Sequence, residues 1–132
     1  MVHLPVPRGY THGMDEDDQL SGETLDALSR GIVRLKAELY GRGPEEARAF
    51  QNGEFVFCVM KGGLTTVERT LLEAKDEPLV RNVRLRFQEQ MGPRFIEVVE
   101  EITGRRVLTY QSQILFDPDY IVEMFVLAPP SR

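Results

Sequence analysis

The sequence predicts an α+β domain, with about four helices packed on one face of a small antiparallel sheet of about three strands. Three observations carry that class. Leu25, Leu28, Ile32, Leu35 and Leu39 step by threes and fours, which sets them on one narrow stripe of a helix. Val80, Val83, Phe87, Met91, Phe95, Val98 and Ile102 repeat the pattern over a longer stretch. Residues 55–60, 107–114 and 120–127 are short and rich in β-formers, and the last two alternate in the strand manner.

The size fits one domain, since a chain of 132 residues can bury a core of its own without staples. Residues 1–20 read as a disordered acidic lead, broken by Pro5, Pro7, Gly9 and Gly13 and ending in Asp15-Glu16-Asp17-Asp18. That cluster suits a solvated tail next to a helix N-terminus better than a metal site. Residues 21–132 form the single folded domain.

The elements follow in order. Ser21 or Thr24 can cap the first helix, which stops at Tyr40 before Gly41. Pro44 with Glu45 and Glu46 suits a first helical turn, so a short helix is expected over 44–50. Asn52-Gly53 is a turn signal. The continuous apolar run from Phe55 to Met60 reads as a strand buried on both faces. Thr65 and Glu68 match a capping box for a helix over about 67–75. Pro78 opens the long helix that Gly104 closes, and Gly92-Pro93 predicts a kink or break in its middle. Asp117-Pro118-Asp119 turns the last two strands into a hairpin.

Several function classes are disfavoured. The net charge of −5 argues against nucleic-acid binding. No apolar run approaches the ~18 residues of a membrane span, so no direct membrane insertion is expected. Both histidines, His3 and His12, lie in the lead, which leaves the folded part no imidazole for base catalysis or metal binding. Cys58 sits in the apolar strand and reads as an inert core thiol. Ser29 and Ser112 have no histidine partner for a triad. Glu97, Glu100, Glu101 and Glu123 read as solvated or capping carboxylates, and Glu68 as a cap. The expectation is therefore no catalytic residue, no cofactor and no metal.

The arginines leave two readings open. Arg30, Arg34 and Arg42 follow the first helix, Arg81, Arg84 and Arg86 open the long one, and Arg105-Arg106 follow its end. Cations near helix C-termini are stabilising in themselves. Guanidinium groups are also the favoured tool for holding an anion or an acidic partner.

Five segments carry a family resemblance: residues 28–35, Tyr40-Gly41-Arg42-Gly43-Pro44, residues 63–71, residues 83–88 and residues 99–107. With the closing 122–127 stretch they resemble the MpsC-like family of small bacterial domains. The family takes its name from a sodium-translocating, membrane-potential-generating system. Residues 111–116 depart from it, because relatives carry a polar, aspartate-rich link there.

The resemblance implies a cytoplasmic, non-enzymatic adaptor or regulator associated with a membrane inorganic-carbon or cation transport system. A small-ligand sensor that binds an anion is the alternative. No catalytic residue carries over. Arg34, Arg42, Arg69 and Arg105 are the candidates for anion or partner binding, with Arg42 and Arg69 inside family motifs. A membrane transport protein is one expected partner. A homodimer is also expected, with the helix stripes as its interface, so Leu35 should lie either there or in the core.

Overall fold

The computed structural model describes residues 18–130. Asp15, Glu16, Asp17, His3 and His12 lie outside them, and with them most of the expected lead. Helix α1 spans Gly22–Tyr40, and the Ser21 side chain accepts the Thr24 N–H at its start. Strands β1 (Glu46–Asn52) and β2 (Phe55–Lys61) form a hairpin. Helix α2 covers Thr66–Glu73, and helix α3 covers Glu77–Thr103. Strands β3 (Val107–Leu115) and β4 (Tyr120–Leu127) close the chain as a second hairpin. The four strands run antiparallel in the order β1-β2-β4-β3.

The class is α+β, as the sequence predicts, but with three helices and four strands among the described residues. The difference lies at 44–50. Those residues give a strand instead of a short helix, and Ala47, Ala49 and Gln51 alternate inward along it. The Asn52-Gly53 turn explains this, since Asn-Gly between two runs is a strong hairpin signal. A lone turn of helix would also have left β2 with an unpaired edge.

Two further expectations change. β2 is not buried on both faces: Val56, Cys58 and Met60 are buried, while Phe55, Phe57 and Val59 are only half-buried. α3 runs through Pro93 without a break. Pro93 is exposed, so its ring stands on the solvent side of the helix and displaces nothing in the core.

The core lies between the helices and one sheet face. α1 delivers Leu28, Ile32 and Leu35, α3 delivers Phe95 and Val99, and the strands deliver Val56, Cys58, Met60, Ile121, Phe125 and Leu127. The α1 stripe is therefore spent inside the chain, and Leu35, only 4% exposed, is core and not interface. α1 and α3 cross closely at Gly31, where a Cβ would come within 2.9 Å of Ile102 Cδ1. Residues 18–20 dock on the fold. Asp18 is buried, its carbonyl accepts from Gln51 and Arg105, and the Leu20 N–H donates to Gln51 Oε1.

Candidate functional site

Besides Asp18 and Arg105, buried charged side chains among the described residues enter the interior at two places. Strand β4 turns every second residue inward, so Glu123 faces the core between Ile121 and Phe125 and has no exposed surface. The expectation of a solvated Glu123 is overturned: its place in the alternation, not its charge, sets its direction. Lys36 lies one turn beyond Ile32 on the buried side of α1 and sets its Nζ 2.6 Å from Glu123 Oε1. That oxygen has the Lys36 ammonium as its ion-pair partner. The other oxygen, Oε2, accepts the Tyr110 O–H at 2.6 Å. Burial, then the Glu123 charge, push the Tyr110 hydroxyl far above its ordinary value, so it remains a donor.

The second place is the start of α2. Thr65 and Glu68 form the expected capping box. Glu68 does more than cap, because Arg84 of α3 grips both its carboxylate oxygens through Nε and Nη2. Arg84 Nη2 also donates to the Gly63 carbonyl, and Gly63 holds the positive φ of 91° that this turn requires. Burial alone would raise the Glu68 carboxyl, but the Arg84 and Thr65 hydrogen bonds outweigh it and hold the group below its ordinary range. Tyr40 lies under both cations, 4.3 Å from Arg84 Cζ and 5.2 Å from Lys36 Nζ.

Lys36, Tyr40 and Arg84 meet at a cavity of about 220 Å³ between α1, α3 and the β3–β4 hairpin. Its polar lining includes Lys36, Tyr40, Arg81, Arg84, Gln88 and Ser112.

The arginines singled out from sequence stand elsewhere. Arg34 of α1, Arg42 of the following turn and Arg69 of α2 are exposed. Arg105 is buried and serves the fold: its Nε donates to the Ala128 carbonyl and its Nη1 to the Asp18 carbonyl, each at 2.9 Å. None of the four lines the cavity. Arg84 belonged to a cluster noted from sequence, whereas Lys36, Tyr40 and Tyr110 were missed. The signal was present for Lys36, which lies four residues from Ile32. Glu97 and Glu101 are exposed as expected, and Glu100 accepts the Val107 N–H at 2.8 Å. The Cys58 thiol has no exposed surface, and burial pushes it up to about 12.

A different kind of surface lies on the far side of the sheet. Phe55, Phe57 and Val59 of β2 alternate outward beside Val122, Met124 and Val126 of β4. None of the six belongs to the core or packs against it. Phe50 of edge strand β1 is 41% exposed and stacks on Phe57 at 5.2 Å. A solvated face of an antiparallel sheet alternates to polar residues; β1 and β3 follow that rule with Glu46, Arg48, Thr109, Gln111 and Gln113, and the central strands β2 and β4 do not.

Fold and sites together define a two-layer α+β domain with a charged interior seam and an apolar strip on β2 and β4 that no described residue covers. The family model described as the Na+-translocating membrane potential-generating system (MpsC) matches residues 21–129, and the chain belongs to that family. No curated protein and no solved structure matches the chain. No helix among the described residues is long and apolar enough to cross a membrane.

Proposed function

We propose that the chain is a symmetric, non-enzymatic adaptor or regulator that acts in the cytoplasm beside a Na+-translocating membrane system. The family description supports the setting. No described helix can span a membrane, so an association of the described domain with such a system would run through protein contact. The absence of catalysis is supported by the Cys58 thiol, too buried and too basic to act as a thiolate at neutral pH. Both histidines lie outside the described residues.

The outer sheet face carries the proposal, and its occupant is a second copy of this chain. Four strands ~4.8 Å apart and seven residues long at ~3.3 Å cover roughly 19 by 23 Å. Two such faces can stack as the layers of a β-sandwich do. The six central residues on β2 and β4 are uncharged, so a two-fold contact buries no ion there. Charges of both signs, Glu46, Arg48 and Lys61, stand on β1 and at the end of β2, as a self-complementary rim needs. The helical layer of each copy is left free for the membrane partner.

Sedimentation equilibrium of the full chain at tens of micromolar tests this. The expected mass is that of a dimer. Met124→Glu should give a monomer with an unchanged far-ultraviolet circular dichroism spectrum. A wild-type monomer, or a Met124→Glu dimer, contradicts the proposal.

A further inference from the structure

We infer that the cavity between α1, α3 and the β3–β4 hairpin is a binding site for a small oxyanion, held by Lys36, Arg81 and Arg84. Three cationic side chains line a space of about 220 Å³, room for an inorganic oxyanion or a short carboxylate and too little for a nucleotide. Their counter-ions stand outside the lining: Glu123 pairs with Lys36, Glu68 with Arg84 and Glu77 with Arg81, and none of the three carboxylates borders the cavity. The cavity therefore sees the positive ends of three pairs.

Donor capacity remains for a ligand. The bonds to Glu68 and Gly63 take three of the five N–H donors of Arg84. The Lys36 ammonium, 6% exposed in its side chain, has three donors, of which the Glu123 contact at 2.6 Å takes one. Arg81 is held in place by the Ile114 carbonyl at 3.0 Å and by the Phe116 ring 4.7 Å from its Cζ. The Tyr40 and Ser112 hydroxyls and the Gln88 amide complete a lining suited to an anion's oxygens. The three cations stand on α1 and α3, on the helical side of the sheet, so the site goes beyond the adaptor reading and can fail or hold independently of the dimer.

The test is a titration of the isotope-labelled full chain with inorganic phosphate and, separately, with acetate, followed through backbone amide shifts. Chloride at matched ionic strength is the control. Saturable shifts at Arg81, Gln88 and Ser112 are expected with at least one of the two oxyanions, phosphate marking a tetrahedral ligand and acetate a carboxylate. Arg81→Ala, half exposed and away from both buried carboxylates, should weaken that binding at least tenfold. Ser112→Ala should weaken it less. The inference is overturned if neither oxyanion saturates, if chloride reproduces the shifts, or if Arg81→Ala binds as tightly as the wild type.

Discussion

Glu123 points inward from β4 with no exposed surface. A carboxylate without exposed surface is tolerable only when its charge is met, and here Lys36 meets it on one oxygen while Tyr110 donates to the other. Removing the cation alone should therefore be severe. Lys36→Met is expected to cost ~3–5 kcal/mol in urea unfolding, because it strands a buried charge. Adding Glu123→Gln should recover most of that loss, since the amide carries no charge and its oxygen still accepts from Tyr110. A mild effect of Lys36→Met would mean that water reaches Glu123. Glu68 makes a pH prediction of definite sign. Its folded pKa lies below the ordinary 4.5, so its contribution is complete above that value and is lost as pH falls through the folded pKa. Unfolding followed from pH 6 to pH 2 should show this acid loss in the wild type, and a shallower one in Glu68→Gln.

At the scale of elements, most of the fold was legible because periodicity reports burial directly. The α1 stripe, the capping box of α2, the extent of α3 and the last hairpin all stand where their spacing put them. The failures share one cause: a local signal was overruled by a partner elsewhere in the chain. Pro44 with two glutamates suits a helix start, but β2 supplied an edge that paired residues 46–52 into a strand. Pro93 disrupts an isolated helix, but Gly92 and Phe95 are buried against the sheet, with the Tyr110 ring 3.4 Å from where a Gly92 Cβ would stand. The candidate site was hidden for a related reason. Charged residues were weighed as surface features, although Lys36, Arg84 and Glu123 occupy apolar-periodic positions. The α1–α3 crossing gives the prediction at this scale. Gly31→Leu should overpack Ile102 and Val98 and destabilise by ~1–3 kcal/mol, while Gly31→Ala, whose closest contact is the mobile Cδ1 end of Ile102, should cost less. Equal stability of both variants in thermal unfolding would show that α1 and α3 separate freely.

The described residues form a two-layer domain with its helices on one face of the sheet. Its helical layer closes the core and holds the charged cavity. Its outer sheet face presents Phe50, Phe55, Phe57 and Met124 with no cover among the described residues. An uncovered apolar sheet face is an association surface by its nature. The chain belongs to the MpsC family, and under the proposed function pairing two copies through the sheets would present two helical layers to a membrane partner. The most direct measurement is an isotope-filtered nuclear Overhauser experiment on a mixture of labelled and unlabelled chains. Intermolecular signals between the Met124 methyl of one copy and the Phe57 and Val122 side chains of the other are the expected result. Intermolecular signals confined to helical residues, or none at a concentration where the mass is dimeric, would contradict pairing through the sheet.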